Sequence, residues 1–469
     1  MGVPARILAA VAAALACASG GAARADAVDD YLRGATRKAH IPAVAVAVVR
    51  DGRITKVATY GVANLEDGQP AAADTAFQLA SGTKLFTGVL VMRMVEQGRL
   101  RLSDRLDAYL PDAPAAWRGV TVAQLAAHTS GIPDALSLKQ PAADARALMA
   151  ALKDQPMAYP PGSRSAYNQT EFGVLRLVLE KVSGRPFEAL LDDEVVRPLG
   201  LTSTRFSNLA ERADIAGASV RTADLVPHRA PLYAWVGGRQ QITEFIYPTW
   251  SYAAGGLYSS AADLAKVLQA LQTGRLVSPQ SLGVMSTPYR LTDGRDGAFG
   301  VAWVVRRRRG RLATGHSGGP ADSDIWLYPE RRLAVAVLTD QQNFAPVLAD
   351  GVAQILDPAP PPSHAAVADD DPATSARLRA WTQGLADGRG DEAVFAPGAK
   401  ALMAQLLAAL GPALALSPKI DDWRLTASSA AAGGSKARTY AMRQGGAQTR
   451  LTFYLDAQNR ILALQPEPE

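Results

Sequence analysis

The N-terminal part of the chain shows two kinds of hydrophobic pattern, and each predicts its own element. Residues 27–40 follow a helical pattern, whereas residues 43–49 form a β-branched apolar run. A second strand-like run covers residues 54–60, and Asp51-Gly52 separates the two runs. An Asp-Gly pair between two strand-like runs is a strong signal of a tight β-hairpin. The sequence therefore predicts a helix followed by a hairpin.

A buried helix is predicted over residues 81–97, because its apolar side chains cover nearly every side. Further helices are predicted at 120–127, 171–182 (ending at Gly184) and 261–272, and further strands at 300–305, 311–315, 325–328 and 333–339. Strands thus lie near both ends of this region, while helices fill its middle. We predict the α+β class, with one antiparallel sheet flanked by helices and a second lobe that is all helical.

Two segments do not fit either pattern. Residues 205–252 are rich in Pro, Gly and aromatic side chains, and we predict an irregular segment. Long loops in a compact domain often contribute to a substrate site. Residues 357–371 are Pro-rich and acidic, which predicts a linker between a first domain (residues 26–356) and a second domain (residues 372–469).

The second domain is predicted to be a small α+β domain. Helical stretches surround Trp381 and Leu406, and strands are predicted at 439–442, 450–455 and 461–464. The arrangement resembles small accessory domains of helix plus antiparallel sheet, such as a nuclear-transport-factor-like cone. Two interpretations stay open: a ligand-binding or dimerising lid, or a solubilising appendage.

The first 25 residues have the three parts of a secretory signal peptide. Arg6 precedes the apolar run 7–16, and small residues follow up to Ala23-Arg24-Ala25. The run is too short to span a bilayer. We therefore expect cleavage near Ala25, a secreted or periplasmic protein and no stable membrane insertion. A membrane anchor, or a lipoprotein signal ending at Cys17, are the alternatives.

Composition and charge exclude several functions. Cys17 is the single cysteine and lies in the predicted signal, so the mature chain can form neither disulfides nor cysteine-ligated metal sites. The formal net charge is only +5. The basic run Arg306–Arg309, with Arg311, lies between two apolar stretches and predicts a solvated hairpin tip. Nucleic-acid binding is not expected.

The first candidate for chemistry is Ser81-Gly82-Thr83-Lys84. Residues three apart on a helix lie on one face, with Cβ atoms about 5–6 Å apart, so the hydroxyl and the ammonium can share a hydrogen bond. A serine hydroxyl becomes a good nucleophile when a neighbouring base takes its proton. The alternative is an N-capping serine beside a solvated lysine. The apolar character of the helix argues against it, because a buried ammonium needs a partner or a function.

The second candidate is Tyr167, which lies between Pro160-Pro161-Gly162 and the helix predicted at residues 171–182. A tyrosine at such a junction can point into a cleft, and it can act as a base if nearby cations stabilise its phenolate. A core or helix-capping aromatic residue is the alternative.

The third candidate is Gly315-His316-Ser317-Gly318-Gly319. It matches the G-x-S-x-G pattern of a nucleophile elbow, but an elbow is followed by a helix and needs a histidine downstream. Strand-like residues follow here, and the only later histidine is His364, in the predicted linker. The segment is better interpreted as the glycine-rich end of an edge strand that a ligand approaches closely.

These motifs, in this order and spacing, resemble the superfamily of class C β-lactamases, D,D-peptidases and esterases over about residues 27–356. Residues 77–87 are similar to its first motif, 125–133 to the segment that follows, 161–167 to the approach to its Tyr-x-Asn, 253–257 with 263–264 to its late helix entry, and 316–318 to its third motif.

The resemblance implies roles for single residues. Ser81 would form an acyl-enzyme, Lys84 and Tyr167 would share the proton transfer, and the amides of Ser81 and Gly319 would form the oxyanion hole. Gln169, His316 and Gly318 would contact the substrate. No metal or organic cofactor is implied.

Two positions depart from the family pattern. Gln169 stands where an asparagine is usual, and His316 stands where true class C β-lactamases have lysine. A histidine is largely neutral near pH 7 and binds a substrate carboxylate less firmly. We therefore expect an esterase, D-aminopeptidase or D,D-carboxypeptidase-like hydrolase of small ester, amide or D-amino-acid peptide substrates, with little β-lactamase activity. The alternative is a catalytically weak pseudoenzyme that binds peptidoglycan fragments or a protein partner.

Overall fold

The computed structural model describes residues 27–135, 138, 142–215, 218–308, 310–319, 321–342, 348–358, 365–387, 389, 391–396, 399, 419–430, 435–444 and 447–468. The chain divides into two compact units, one of residues 42–346 and one that joins residues 1–41 to residues 347–469. The predicted signal peptide and most of the Pro-rich part of the predicted linker lie outside the described residues. The domain boundary at residues 356–357 stays a prediction.

The described strands of the larger unit are β1 (Ala43–Arg50), β2 (Arg53–Asn64), β3 (Gln69–Pro70), β4 (Phe77–Gln78), β5 (Arg205–Phe206), β6 (Leu209–Ile215), β7 (Ala218–Ala223), β8 (Leu232–Val236), β9 (Arg239–Thr243), β10 (Leu257–Ser259), β11 (Val304–Arg308), β12 (Arg311–Ser317), β13 (Ala321–Tyr328) and β14 (Leu333–Gln342). Its main sheet has the order β11-β12-β13-β14-β1-β2-β3, and every pairing along this path is antiparallel. β8 pairs in parallel with the end of β14, at Tyr233 and Gln341, and β9 pairs with β8 in antiparallel orientation.

The predicted hairpin at the start of this unit is confirmed. β1 and β2 pair in antiparallel register around Asp51 and Gly52, both of which have positive φ. β1 lies between β14 and β2 in the sheet, and Ala43–Val49 are buried. A strand that is covered on both faces needs apolar side chains at every position, which explains why residues 43–49 of β1 form a continuous apolar run.

The helices lie between the two groups of strands, as predicted. After α1 (residues 27–38) they are α2 (Lys84–Glu96), α3 (Val122–Ala126), α4 (Ala145–Leu152), α5 (Thr170–Ser183), α6 (Phe187–Leu191), α7 (Arg197–Leu199), α8 (Ala261–Gln272) and α9 (Pro279–Met285). α2 is buried along nearly its whole length and packs in the main core with α5 and α8. α5 ends at Gly184, whose left-handed conformation caps it.

The prediction of an irregular segment at residues 205–252 is wrong in part. This stretch contains five short strands, β5 to β9. A turn at Gly237-Gly238 joins β8 to β9, and both glycines have positive φ, as a two-residue hairpin requires. Most of these strands escaped the sequence analysis because they are short and carry polar side chains, while β8 is apolar but only five residues long.

The predicted hairpin at the basic run is confirmed, but its solvated character is not. Arg308 pairs with Arg311 across the turn between β11 and β12. The Arg306 guanidinium lies 3.5 Å from the ring centroid of Trp326, and Arg308 is only 7% exposed. Arg307 points to the other side, with 65% of its side chain exposed. Because side chains alternate along a strand, every second arginine packs on the sheet.

The smaller unit contains α10 (Leu348–Leu356), α11 (Pro372–Ala386) and a four-stranded antiparallel sheet of β15 (Ile420–Ala430), β16 (Lys436–Gln444), β17 (Ala447–Leu455) and β18 (Ile461–Pro468) in sequence order. Its aromatic core surrounds Trp381 on α11. The helix around Trp381 and the three predicted strands are confirmed. β15 was not predicted, and the predicted helix around Leu406 lies outside the described residues.

Within the described part of the chain, no helix combines the length and the apolar character needed to cross a membrane.

Candidate active site

Ser81 lies in a tight turn that precedes the buried helix. Residues Ala80–Thr83 form a 3-10 turn, and α2 begins only at Lys84, so the predicted start of the helix at Ser81 is early. Ala80 has a φ of +47°, a left-handed conformation that residues other than glycine seldom adopt. The turn leaves Ser81 partly exposed, while its neighbours Ala80 and Gly82 are buried.

Two glycines allow the end of the sheet to pack against this turn. A Cβ atom on Gly82 would lie 2.4 Å from Ser323 Oγ, and one on Gly318 would lie 2.2 Å from Leu79 O. The Ser323 hydroxyl donates a hydrogen bond of 2.5 Å to the same Leu79 carbonyl. Gly82 and Gly318 therefore both allow the turn around Ser81 to lie in close contact with the ends of β12 and β13. The third motif lies at the end of β12, but the predicted edge strand is wrong, because β12 lies between β11 and β13 in the sheet. His316 and Ser317 extend past the residues of β12 that pair with β11.

Lys84 is completely buried directly behind the turn. Its ammonium donates hydrogen bonds to Ala254 O at 2.9 Å and to Gln169 Oε1 at 3.1 Å. It also lies 4.8 Å from the ring centroid of Tyr167 and 4.9 Å from that of Phe172. Burial lowers the pKa of the Lys84 ammonium below its ordinary value, and the nearby Tyr167 opposes part of this shift. The side chain of Lys84 therefore loses its proton more readily here than it would in water.

Tyr167 connects the lysine to the serine. Its phenol lies 2.9 Å from Ser81 Oγ, and its side chain is 42% exposed. It stands just before α5, at the junction predicted from the sequence. Asn168 fixes this junction, because its side-chain amide donates to Ile132 O and its side-chain oxygen accepts from the amide of Thr170.

The structure therefore brings Ser81, Lys84 and Tyr167 together. The hydrogen bond to the Ser81 hydroxyl comes from Tyr167, while Lys84 donates to Gln169 and Ala254. The spacing suggested a direct hydrogen bond between Ser81 and Lys84. In the structure Ser81 is hydrogen-bonded to the Tyr167 phenol instead, and Lys84 lies against the ring of that phenol.

Gln169 lies beside these residues, but its side-chain oxygen already accepts from Lys84. The longer glutamine side chain therefore supports the lysine, and its contact with a substrate stays a prediction.

His316 lies on β12 next to the turn and is 4% exposed. Its Nδ1 donates to Ser317 O at 2.6 Å, and its ring centroid lies 5.9 Å from that of Tyr167. Burial, reinforced by the charge of Lys84, lowers the pKa of His316 to about 3. The imidazole is therefore neutral at physiological pH, and its Nε2 is a buried acceptor without a hydrogen-bond partner.

Gly318 and Gly319 follow His316 at the end of β12. The Gly318 amide donates to Ser323 O, and the Gly319 carbonyl accepts a long hydrogen bond of 3.4 Å from the Tyr247 hydroxyl. Gly319 itself is exposed. The oxyanion hole made by the amides of Ser81 and Gly319 stays a prediction.

A buried His–Glu pair under Tyr167 was missed by the sequence analysis. His128 and Glu171 are both fully buried, and His128 Nδ1 lies 2.5 Å from Glu171 Oε2. Glu171 Oε1 accepts from both the hydroxyl and the amide of Ser130. The His128 ring packs 4.6 Å from the Tyr167 ring, centroid to centroid. This pair therefore forms part of the floor beneath the phenol.

Burial favours the neutral form of both partners. His128 Nδ1 lies 2.5 Å from Glu171 Oε2 and 3.2 Å from the amide nitrogen of Asn168. Burial raises the pKa of the Glu171 carboxyl well above its usual range. Burial and the charge of Lys84 hold the pKa of His128 well below its usual range. Both partners are thus neutral.

The two halves of this pair come from motifs that the sequence analysis had quoted for other reasons. His128 lies in residues 125–133, which resemble the segment after the family's first motif, and Glu171 is the first residue of the helix predicted at residues 171–182. Only the crossing of α5 behind residues 128–131 makes that acid buried, so no local signal could have identified it.

Comparison with known proteins agrees with this geometry. "Protein flp" from Staphylococcus aureus (strain COL) is 23% identical over 218 residues, which is 44% of this chain and 44% of that protein. The chain thus spans less than half the length of that relative. A "Putative D-alanyl-D-alanine carboxypeptidase" from Escherichia coli (strain K12) is 24% identical over 347 residues, 64% of this chain and 79% of that protein.

Among solved structures, the fold is similar to that of the octameric penicillin-binding protein homologue from Pyrococcus abyssi. The TM-score is 0.61 at 19% identity, and the match covers 95% of this chain and 98% of the other. This likeness confirms the α+β fold predicted from the sequence. The family model "Beta-lactamase" matches residues 28–359, most of the chain. The serine, lysine and tyrosine described above lie within that match, and the protein belongs to the Beta-lactamase family of serine hydrolases.

Proposed function

We propose that this protein is an exported serine hydrolase that acts through an acyl-enzyme on ester, amide or D-amino-acid peptide bonds. The observation that carries the proposal is the 2.9 Å contact between Tyr167 and Ser81, with the buried Lys84 against the same phenol ring. Export rests on the signal-like residues 1–25, which lie outside the described residues.

The arrangement supplies a path for the proton of the nucleophile. Ser81 Oγ attacks the substrate carbonyl carbon while its proton moves to the Tyr167 phenolate, and the carbonyl oxygen becomes an oxyanion facing the amides of Ser81 and Gly319. Tyr167 then returns that proton to the leaving group as its bond to carbon breaks. Water attacks the resulting acyl-enzyme by the same path. The phenolate is formed beforehand when the phenol proton of Tyr167 passes to Lys84 as a neutral amine, and the resulting ammonium then stabilises the phenolate.

The neutral His316 bears on substrate choice. A lysine at this position would offer a positive charge to a substrate carboxylate, whereas the buried His316 offers an uncharged acceptor. This difference favours esters, amides and peptides that carry no carboxylate at this position over β-lactam antibiotics. The similarity to a protein described as a putative D-alanyl-D-alanine carboxypeptidase points to the same class of bonds.

The proposal is tested by labelling and turnover. A fluorophosphonate probe should modify Ser81 covalently, and a panel of short-chain nitrophenyl esters, D-amino-acid amides, D-Ala-D-Ala peptides and a chromogenic cephalosporin should reveal turnover that Ser81→Ala abolishes. Saturable binding of peptidoglycan fragments with neither labelling nor turnover in folded protein would instead establish the binding-only alternative.

Loss of the phenol should affect the chemical step. Tyr167→Phe and Lys84→Met should each lower kcat by about 10²- to 10⁴-fold, the usual contribution of a positioned acid–base group. Tyr109→Phe is the matched control, because it removes a phenol that lies away from the site and donates a hydrogen bond to Asp104. Steady-state kinetics on a nitrophenyl ester make the measurement. Equal losses in Tyr167→Phe and Tyr109→Phe would rule out the assigned role.

The pH dependence should show no titration of His316 in the physiological range. Because its pKa lies at about 3, the imidazole stays neutral from pH 5 to pH 8. The profile of kcat/KM over that range should keep its shape in His316→Gln, even if its height changes. A limb near pH 6.5 that disappears in His316→Gln would show that the histidine is charged below that pH.

The protonation state of Glu171 predicts different effects for two substitutions. A protonated carboxyl and a carboxamide have nearly the same shape and hydrogen-bonding groups, so Glu171→Gln should keep the thermal midpoint and kcat within a few-fold of the original protein. Glu171→Leu removes the acceptor of the Ser130 hydroxyl and amide and the carboxyl oxygen beside His128 Nδ1, and it should lower both the thermal midpoint and kcat. Thermal unfolding and ester kinetics compare the two variants. If the glutamine variant is as impaired as the leucine variant, Glu171 is a carboxylate in the folded protein.

A further inference from the structure

A cavity of about 730 Å³ lies in the larger unit, bounded by β4, the β8–β9 hairpin and the end of β14. Its wall includes the aromatic side chains of Phe245, Tyr247 and Tyr258. Neither Ser81 nor Gly319 is among the described residues that line it. The cavity is large enough for a small organic group, but it is separate from the candidate nucleophile.

Tyr247 contacts both the cavity and the candidate active site. Its side chain lines the cavity, and its hydroxyl donates a long hydrogen bond of 3.4 Å to the carbonyl oxygen of Gly319. The preceding residue, Gly318, packs against the turn that carries Ser81. Burial, and next the nearby phenol of Tyr167, raise the pKa of the Tyr247 hydroxyl above its usual range. The neutral hydroxyl end of Tyr247 therefore reaches the Gly319 side of the cleft.

The ring of Tyr247 lies directly on a backbone segment that has no side chains. A Cβ atom on Gly255 would lie 2.3 Å from the ring, and one on the glycine that follows would lie 3.1 Å from Tyr247 Cβ. Gly255 comes directly after Ala254, whose carbonyl accepts a hydrogen bond from Lys84. Tyr247 thus extends from the segment that holds the lysine to Gly319.

Two neighbours hold Tyr247 in this position. Phe245 packs edge-on against its ring, with the ring centroids 4.7 Å apart. The carbonyl of Phe245 accepts a 3.0 Å hydrogen bond from the side-chain amide of Gln78, which stands three residues before Ser81. The Tyr247 wall is therefore attached to the segment of chain that carries the candidate nucleophile.

We propose that Tyr247 limits the size of the substrate, because its ring closes the passage between Ser81 and the cavity. The substrate group that lies towards Gly319 is then restricted to a few atoms. Since the backbone under the ring is glycine, no other side chain takes the place of the ring when it is removed. The inference rests on the proposed hydrolase function of Ser81 and narrows its substrates to those with a small group on this side.

The test measures selectivity for chain length. Nitrophenyl acetate and nitrophenyl hexanoate vary the acyl group, whereas ethyl acetate and hexyl acetate vary the leaving group. In the arm whose variable group lies towards Gly319, the original protein should have a lower kcat/KM for the longer ester. Tyr247→Ala should raise the long-to-short ratio in that arm about ten- to a hundredfold, as expected when further CH₂ groups become buried in the cavity.

Tyr247→Phe and Ile242→Ala are the controls. Tyr247→Phe keeps the ring and removes only the hydroxyl, so it should leave the long-to-short ratio unchanged. Ile242 is 52% exposed and lines the same cavity, so Ile242→Ala enlarges the cavity from β9 while the Tyr247 ring stays in place. It should also leave the ratio unchanged. An equal rise of the ratio in Ile242→Ala and Tyr247→Ala would overturn the role of the ring.

Tyr247→Leu keeps the question open to measurement if Tyr247→Ala does not fold. A leucine side chain still covers the glycine backbone with apolar atoms, but it is too short to reach Gly319. The long-to-short ratio should rise in the same arm, by less than in Tyr247→Ala. A ratio that stays at its original value in both arms, in a folded Tyr247→Ala or Tyr247→Leu protein that still hydrolyses the short esters, overturns the size limit and leaves the hydrolase function standing.

A second readout needs no turnover. Hexanamide and N-hexylacetamide, which match the two arms, are titrated calorimetrically into Ser81→Ala and into the double variant Ser81→Ala/Tyr247→Ala. One of these amides should bind the double variant about tenfold more tightly. Equal affinities for both amides overturn the size limit. Absence of Ser81 labelling and of all ester turnover, together with tighter binding by the double variant, would instead overturn the hydrolase function alone.

Discussion

The burial of the Lys84 ammonium is the constraint around which the site is arranged. A charged group that is removed from water destabilises a fold unless other groups replace its hydration. Here the carbonyl of Ala254, the side chain of Gln169 and the rings of Tyr167 and Phe172 surround it. These partners come from two separate segments of chain besides α2. The packing of those segments against α2 is therefore also what assembles the candidate catalytic residues.

The groups next to Lys84 are kept neutral by the same burial. His316 and His128 have pKa values below their usual range, and Glu171 has a pKa above its usual range. Two imidazolium ions at these positions would repel Lys84, and a carboxylate at Glu171 would attract it away from the phenol. Neutral partners leave Lys84 as the cation beside Tyr167, and the two histidines support the phenol ring by packing.

Much of the fold followed from local patterns. The β1–β2 hairpin, the limits of α8 and the end of α5 at Gly184 depend on apolar periodicity and on turn or capping residues, which act over a few positions. Tertiary contacts overrode such rules elsewhere. β9 carries mostly polar side chains and yet pairs with β8, which in turn pairs with β14. Arg306 is covered by Trp326 although it belongs to a strongly basic run.

By itself, the sequence determined the candidates for catalysis: Ser81 and Lys84 three residues apart on an apolar helix, the tyrosine before α5 and the glycine-rich end of β12. It could not determine how these groups connect, because hydrogen bonds between distant segments depend on how the helices cross the sheet. The tertiary structure alone decided that Tyr167 rather than Lys84 contacts Ser81, that Gln169 supports the lysine, and that Glu171 is buried against His128. The physical reason is that burial, and with it the charge of each ionisable group, is set by the whole packed chain.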